Sequence, residues 1–358
     1  MKKAYNGDKF YNGHALMSTG SEWLACIGRR ANGKSFWWLQ EATIECLELG
    51  KQMAYVRRLE NEIRKSTVNK YFEDTNYCNW LKKNYDYDGV IFDAGDLYFF
   101  KYDEKGKPVK HTKFGSCFAI AVARRYKGLH FDEIGNIILE EFITDSGYIE
   151  DEWRLFMSII STIYRNKKGR VVLIGNTISR TCPYFREMGV DVNKLQMGEI
   201  VTIEHIQEDG NRVHMSIEFT PDIAAKSGLF FGKAEKNINK GSWETYEWPH
   251  LFFKFEEAEK IYNCFYIDGD LCFKLCICLY KDRKYLYVYP YDKEKLSINL
   301  RDDIFYREFT TKDNVFNGPY KKRHQKIWDY FERGKVMYAD DLCGTELNSC
   351  LEHFNPFI

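Results

Sequence analysis

The chain lacks an excess of charge of either sign. Its 358 residues carry 52 lysines and arginines against 52 aspartates and glutamates, so the formal net charge is +0. A balanced protein has no overall field to draw it to nucleic acid or to a membrane surface. Any polyanionic partner must therefore be held by local basic patches, or by a ring of subunits that pools such patches.

The sequence also lacks a membrane-spanning run, a secretion signal and a paired metal-binding motif. No apolar stretch reaches the roughly 20 residues that a transmembrane helix needs. The eleven cysteines are scattered without a C-x-x-C pair, and Cys272, Cys276 and Cys278 alternate within an apolar, strand-like run. This spacing disfavours a zinc site. We expect reduced thiols in a soluble, cytoplasmic protein.

One stretch near the N-terminus carries a strong chemical signal. Residues 24–27 are apolar, and they are followed by Gly28, Arg29, Arg30, Ala31, Asn32, Gly33, Lys34 and Ser35, which read G-x-x-x-x-G-K-S. A helix is predicted from Lys34 to Leu49, with Gly50 as its stop. Strand, glycine-rich turn and helix together are the context of a phosphate-binding P-loop. Lys34 would then contact the β- and γ-phosphates and Ser35 would bind Mg²⁺.

Hydrolysis needs a second motif, a hydrophobic strand that ends in carboxylates. Strand-like segments at 89–93, 97–102 and 117–122 precede a short run from Tyr126 that ends in Asp132 and Glu133, although Gly128 and His130 interrupt it. We predict that Asp132 binds Mg²⁺ and that Glu133 polarises the attacking water.

A third strand and the turn before it supply further candidates. Residues 171–177 predict a buried strand in which Asn176 is either a sensor of the γ-phosphate or an ordinary strand cap. A helix at 153–164 and a basic turn at 165–170 precede this strand. Arg165 is our first candidate for an arginine finger that reaches a neighbour's nucleotide, with Arg154 and Arg170 as alternatives. The competing interpretation is a solvated turn.

The sequence predicts three domains. Residues 1–197 form the P-loop domain, and residues 198–250 form a connector with two strands around a turn at Glu208–Asn211. Residues 251–358 form a second module, whose three antiparallel strands between about 263 and 289 resemble the opening of an RNase H-like sheet.

Two features of the last module have open interpretations. The acidic residues that could supply a two-metal nuclease are Asp268, Asp270, Asp340 and Asp341. The basic run Lys321–Lys326, close to Tyr320 and Trp328, suits either phosphate contacts or a solvated helix face.

These motifs together resemble the DNA-packaging ATPases of φ29-type tailed bacteriophages, relatives of the large terminase subunits. The resemblance rests on Gly28–Ser35, on Met53–Arg58, on the hairpin before Asp132–Glu133, and on Tyr164–Asn166 followed by Val171–Asn176. Its specific motifs cover about residues 20–190, whereas residues 200–358 match by layout only.

The resemblance implies an α/β fold: a P-loop NTPase of the additional-strand (ASCE) class, with a mainly parallel sheet and helices on both faces. A small linker domain and a vestigial RNase H-like α+β domain without nuclease activity would follow. The implied activity is translocation of double-stranded DNA into a procapsid, driven by ATP and Mg²⁺, by a homopentameric ring on the portal. The implied setting is the host cytoplasm and the portal vertex of the procapsid, with a packaging RNA in some members.

The resemblance also assigns residues. Phosphate and Mg²⁺ binding go to Gly33, Lys34 and Ser35, and metal binding goes to Asp132. Catalysis goes to Glu133, coupling to Asn176 and the trans-acting finger to Arg165. Arg29 and Arg30 make this loop unusually basic, so that either they act on the phosphates in cis or they contact solvent or an adjacent subunit.

Two other functions remain as alternatives. One is a terminase-like enzyme that also cleaves DNA through the C-terminal carboxylates. The other is a P-loop ATPase that acts on protein partners without contacting nucleic acid, which the neutral net charge favours.

Overall fold

The computed structural model describes most of the chain and divides it into two units. The described residues are 10–144, 147–165, 167–180, 182–192, 194–222, 229, 235, 243, 246–268, 271–296, 304–306 and 322–352. The first unit comprises Met1–Ile178 and Cys182–Trp243, and the second comprises Ser179–Thr181 and Glu244–Ile358.

A nine-stranded sheet forms the centre of the first unit. Its strands are β1 (Trp23–Gly28), β2 (Gln52–Arg57), β3 (Gly89–Asp93), β4 (Asp96–Tyr102), β5 (Pro108–Ala119), β6 (Ile134–Glu140), β7 (Arg170–Asn176), β8 (Ile200–Ile206) and β9 (Arg212–Phe219). Their order across the sheet is β3-β4-β5-β2-β6-β7-β1-β9-β8. The six strands from β5 to β9 in that order are parallel, and antiparallel strands extend both edges. Parallel strands have all their carboxyl ends on the same side of the sheet, which we call the carboxyl edge and where such sheets bind ligands. The side on which these strands begin is the amino edge.

Helices cover both faces of this sheet. They are α1 (His14–Met17), α2 (Lys34–Leu49), α3 (Lys65–Phe72), α4 (Thr75–Tyr85), α5 (Glu152–Ile163) and α6 (Pro183–Glu187). Alternate residues of β1 point to opposite faces, as strand geometry requires. Cys26 packs in the core that contains Trp37 of α2, whereas Ile27 packs in the core that contains Phe156 of α5. This is the mainly parallel sheet with helices on both faces that the family resemblance implies.

Glycines bound helix α2 where the sequence predicts its ends. Gly33 before it has φ +93° and Gly50 after it has φ +70°, both in the left-handed region that favours glycine. The Gly50 N–H donates to the carbonyl oxygen of Cys46 at 3.0 Å and so closes the last turn.

The prediction of a strand that ends at Asp132–Glu133 is wrong. Residues 126–133 contain turns, with Gly128 at φ +89°, and the strand β6 begins only after Glu133, at Ile134. The uninterrupted apolar run lies inside β6, where residues 137–139 are buried, and it ends at Glu140. The acidic pair at the carboxyl end of this strand is therefore Glu140–Glu141.

The predicted connector at 198–250 is also corrected. Its hairpin is β8–β9, and β9 pairs in parallel with β1, with Ile217 beside Ala25. The hairpin thus forms the last two strands of the first sheet and is not a separate domain. The boundary between the units falls at Trp243–Glu244, whereas the sequence predicts boundaries at 197/198 and 250/251. Local alternation predicted both strands but could not show which strand they would join.

The second unit contains a five-stranded sheet. Its strands are β10 (Glu259–Asp268), β11 (Leu271–Tyr280), β12 (Arg283–Pro290), β13 (Ile304–Tyr306) and β14 (Val336–Tyr338), in the order β13-β10-β11-β12-β14. The predicted antiparallel meander is β10–β12, while β13 and β14 add in parallel at the edges. Helices α7 (Lys322–Glu332) and α8 (Asp341–Glu352) contribute Ile327 and Leu347 to the core on one face.

Two further observations concern the hydropathy of the helices and the state of the cysteines. Within the described ranges, no helix is long and apolar enough to cross a bilayer. All eleven cysteines are thiols rather than disulfides.

We predict that the β8–β9 hairpin unfolds together with the first sheet. The Ile217 side chain is fully buried, so Ile217→Ala should lower the free energy of unfolding by about 2–4 kcal/mol through lost burial and a cavity. Ile206 on the same hairpin is 68% exposed, and Ile206→Ala is the matched control with little expected effect. Denaturant unfolding measures both variants, and an equally small loss for Ile217→Ala would contradict the revised boundary.

Candidate nucleotide site

The predicted P-loop, Gly28–Ser35, lies at the carboxyl end of β1 and packs against the end of β9. Ala31 at φ +56° and Gly33 at φ +93° turn the backbone back towards the start of α2. At Gly28 a Cβ atom would lie 1.9 Å from Thr220 Oγ1, so that only glycine fits this close approach. The loop therefore has the tight turn, followed by a helix N-terminus, that a phosphate-binding loop needs.

Lys34 is a buried cation at the centre of this loop. Its ammonium donates to the carbonyl oxygens of Gly28 (3.2 Å) and Arg29 (2.7 Å) and to the Oδ1 atoms of Asn32 and Asn176 (3.2 Å each). Burial lowers the pKa of Lys34 from 10.5 to about 8, since the acceptors around it are largely neutral oxygens. An added anion would relieve this penalty, which fits the phosphate-binding role.

Asn176 occupies its predicted place at the carboxyl end of β7. The parallel register sets it beside Gly28, and this brings its Oδ1 to Lys34. The side chain is thus in contact with the P-loop lysine rather than capping its own strand. The sensor role itself stays a prediction.

Glu140 is the carboxylate that the structure brings to the P-loop, and the sequence reasoning missed it. Ser35 Oγ donates to Glu140 Oε2 at 3.1 Å, and the Tyr71 hydroxyl donates to Oε1 at 2.6 Å. Burial raises the pKa of Glu140, and these two hydrogen bonds oppose that rise. A carboxylate next to the P-loop serine can complete a Mg²⁺ site, because this ion takes one or two carboxylates together with phosphate oxygens. The available signal was the run Ile137-Ile138-Leu139 directly before Glu140-Glu141.

Two arginines at the end of β2 hold the neighbouring carboxylate and its loop. Arg57 forms ion pairs with Glu62 and Glu141, the latter at 2.7 Å. Arg58 pairs with buried Glu152 at 2.8 Å and donates to the carbonyl oxygens of Glu141 (3.2 Å) and Phe142 (3.1 Å). Glu141 is thereby fixed one residue beyond Glu140.

Asp132 and Glu133, the predicted metal ligand and catalytic base, lie at the opposite edge of the sheet. They precede β6, and seven residues of strand at about 3.3 Å each separate Glu133 from Glu140 by roughly 20 Å. Glu133 accepts a hydrogen bond from Gln52, and Lys167 Nζ donates to the Asp132 carbonyl oxygen at 2.8 Å. Neither carboxylate can reach a phosphate that is held by this chain's own P-loop.

The two P-loop arginines differ in their surroundings. Arg29 is only 4% exposed, and its Nε lies 3.1 Å from Asp222 Oδ1, in the segment that follows β9. Arg30 is exposed. The contact of Arg29 is thus with its own subunit, whereas Arg30 remains accessible from solvent.

The three finger candidates occupy different positions. Arg170 pairs at 2.8 Å with buried Glu45, and Arg154 pairs at 2.7 Å with exposed Asp151. Arg165 is exposed in the turn between α5 and β7. That turn lies at the amino edge of the sheet, about one strand length from this chain's P-loop, so Arg165 does not reach the P-loop of its own chain.

Of the four acidic residues predicted in the second unit, the three that the structure describes do not converge. Strands β10 and β14 run in the same direction, but β11 and β12 lie between them, which separates their ends by about 14 Å. Asp268 at the end of β10 is therefore too far from Asp340 and Asp341 to share metal ions about 4 Å apart. Asp340 instead accepts a hydrogen bond from the Cys343 N–H at the start of α8, and Asp341 accepts one from the Trp248 N–H.

Other candidate groups can be placed only in part. Asp270 and Lys321 lie outside the described residues, as do the side chains of 322–326. Among the side chains that are described, no three of histidine, cysteine, aspartate and glutamate come together closely enough to hold a metal ion.

Known proteins resemble this chain in sequence and in fold. The family model of the podovirus DNA encapsidation protein (Gp16) matches residues 5–205. The DNA packaging protein of Bacillus phage B103 is 26% identical over 176 residues, which are 47% of this chain and 49% of that protein. The match thus spans about half the length of this curated relative.

Two solved structures extend the comparison. A chain of the viral genome packaging motor assembly of bacteriophage Phi-29 aligns with 97% of this chain over 99% of its own length, with 17% identity and a TM-score of 0.51. This similarity indicates a shared fold. The large terminase of a thermophilic bacteriophage, solved in complex with ADP, covers 91% of this chain and 84% of its own, with 12% identity and a TM-score of 0.35. Because the family model matches more than half of the residues, the chain belongs to the podovirus DNA encapsidation protein (Gp16) family.

Proposed function

We propose that this protein is an ATP-driven motor subunit that moves double-stranded viral DNA into a procapsid. Family membership supports the packaging role. The observation that carries the ATPase assignment is the hydrogen bond from Ser35 to Glu140, which joins the P-loop to a buried carboxylate at the same sheet edge. Lys34 and Asn176 lie at that edge as well.

The residues divide the work of hydrolysis by position. The backbone from Gly28 to Ser35 binds the phosphates, and the Lys34 ammonium neutralises the β- and γ-phosphates. Ser35 and Glu140 would hold Mg²⁺, which when bound neutralises charge on the transferred phosphoryl group. This assignment moves the metal carboxylate from Asp132 to Glu140.

Glu141 takes the catalytic role in place of Glu133. It follows Glu140 at the carboxyl end of β6, where a carboxylate can polarise the attacking water. The Glu141 carboxylate is paired with Arg57 in this structure, so this ion pair must break before the carboxylate can contact the attacking water. Asn176 contacts Lys34 and is placed to sense the γ-phosphate.

Subunits act as a ring in this proposal. Arg165 lies at the edge opposite its own P-loop, which suits a trans-acting arginine finger in a homopentamer on the portal, in the host cytoplasm. A ring also pools the local basic patches of a chain with no net charge. Some members of such motors use a packaging RNA, and this partner remains part of the proposal. The RNase H-like second unit is proposed as vestigial, because its described acidic residues Asp268, Asp340 and Asp341 do not converge.

The first test is steady-state ATP hydrolysis with and without linear double-stranded DNA over a range of protein concentrations. We expect DNA to stimulate hydrolysis and turnover per subunit to rise as the protein associates. Arg165→Ala should lower turnover on the order of 10³-fold, as for other arginine fingers. The matched control is Arg212→Ala, because Arg212 is also exposed and is the first residue of β9, at the same amino edge.

A mixing experiment separates a shared site from a local defect. Lys34→Ala subunits keep the finger and Arg165→Ala subunits keep the P-loop, so a mixture should recover part of the activity. A monomer that hydrolyses ATP at the full rate would refute the trans finger. A slow rate that DNA does not change would favour the function on protein partners.

The revised carboxylates give a second prediction. Glu140→Gln should weaken Mg²⁺-dependent binding and hydrolysis, and Glu141→Gln should bind ATP but turn it over at least about 10²-fold more slowly, the usual weight of a general base. Glu133→Gln is the control at the other edge and should keep near wild-type turnover. Hydrolysis rates of the three variants decide between the two pairs, since loss of activity in Glu133→Gln alone would restore the original assignment.

Lys34 gives a prediction with a defined pH dependence. Its folded pKa of about 8 lies below the ordinary 10.5, so the unfolded chain binds more protons between these values and stability rises with pH there. Wild type should therefore gain up to about 3 kcal/mol of stability over this range. Lys34→Met should abolish hydrolysis, and without nucleotide its stability should lack this rise, because the group that titrates there is gone. Thermal unfolding of both proteins from pH 7 to 10.5 measures the difference, and an equal rise in the variant would show that another group causes it.

A further inference from the structure

The carboxamide of Asn32 lies inside the P-loop and takes up two of its donors. Asn32 Oδ1 accepts from the Lys34 backbone N–H at 3.3 Å and from the Lys34 ammonium at 3.2 Å. Both groups are donors that a P-loop directs at phosphate oxygens. Asn32 is 1% exposed, so its side chain is enclosed within the loop rather than resting on its surface.

Thr220 holds the other end of this carboxamide. Asn32 Nδ2 donates to Thr220 Oγ1 at 2.7 Å, and Thr220 is itself only 2% exposed. The Thr220 N–H donates to the Ile27 carbonyl oxygen at 2.7 Å, and its hydroxyl packs on Gly28. Because the Lys34 groups can only donate to the oxygen end, the amide has a single orientation that satisfies every partner.

We propose that Asn32 Oδ1 is an internal competitor of the bound phosphate, and that Thr220 is the positioning residue that keeps it in the loop. When a phosphate oxygen takes the two Lys34 donors, the carboxamide must withdraw and its hydrogen bond to Thr220 breaks. The inference rests on the proposed function in one respect, namely that this loop binds a nucleoside triphosphate.

The break would be transmitted along the chain. Thr220 lies in the segment that leaves β9, and two residues later Asp222 pairs with Arg29 of the same loop. The segment is thus held to the P-loop by Asn32 and Arg29, and to the end of β1 by Ile27. Loss of one of these contacts on nucleotide binding loosens the segment through which the chain leaves the sheet.

A thermodynamic cycle distinguishes this competition from simple support. Thr220→Val keeps the shape of the side chain but leaves the buried Asn32 amide without its acceptor, which destabilises the protein without ligand. If the hydrogen bond is absent in the complex, the complex does not lose it, and binding becomes tighter. If the bond persists in the complex, both states lose it and the dissociation constant does not change.

The test measures binding to the full chain by calorimetry, with Mg²⁺ and either pyrophosphate or a slowly hydrolysed ATP analogue. We expect Thr220→Val to bind both ligands about 2- to 10-fold more tightly than wild type, which corresponds to one ordinary hydrogen bond. Its melting temperature should fall without ligand and recover at saturation. Thr220→Ser should restore wild-type affinity, and Asn32→Ala should also bind more tightly.

Thr202→Val is the matched control, because Thr202 bonds Ser216 on the same hairpin and does not contact the P-loop. Its dissociation constant should equal that of wild type. Unchanged or weaker binding by both Thr220→Val and Asn32→Ala would overturn the competition alone. A wild-type protein that binds neither pyrophosphate nor the ATP analogue would overturn the proposed function, and the competition with it.

Discussion

The carboxylate of Glu140 is the group on which the arrangement of this site depends. It stands at the end of a buried strand, and its two oxygens accept hydrogen bonds from Ser35 on the P-loop helix and from Tyr71 on α3. A buried carboxylate is costly unless such donors or a cation accompany it. Its position therefore ties together β6, α2 and α3, and any cation it binds must lie next to the P-loop.

The parallel register brings the remaining groups to the same edge. Gly28 pairs with Asn176, Glu140 with Ile174, and Arg57 stands next to the end of β6. These residues need no loop movement to come together, because each stands at the end of a strand that is hydrogen-bonded to a neighbouring strand on both sides. This rigidity suits hydrolysis, in which catalysis consists largely of positioning and charge stabilisation. In our proposal the nucleotide phosphates are attracted by one enclosed lysine and by oriented backbone groups, so nucleotide binding does not require a net positive charge on the chain.

Sequence patterns could predict the parts of the site that are local. The P-loop pattern, the helix from Lys34 to Leu49 and the strand that ends at Asn176 follow from residues adjacent in the chain. The carboxylate pair was misplaced because the Asp132–Glu133 dipeptide resembles the expected motif, whereas the turn at Gly128 moves the strand start beyond it. Tyr71 and Thr220 could not be predicted at all, since they reach the site by packing and by pairing of β9 with β1, which no local pattern encodes.

The two edges of the sheet then have different tasks. The carboxyl edge carries the P-loop, Glu140, Glu141 and Asn176, which bind and activate the nucleotide in our proposal. Arg165 lies at the amino edge, roughly 20 Å away along the strands, where it cannot contact a nucleotide that its own chain binds. In our proposal such a subunit completes its site for hydrolysis only when a second copy presents its amino edge to the nucleotide. Hydrolysis would therefore depend on contact between neighbouring subunits.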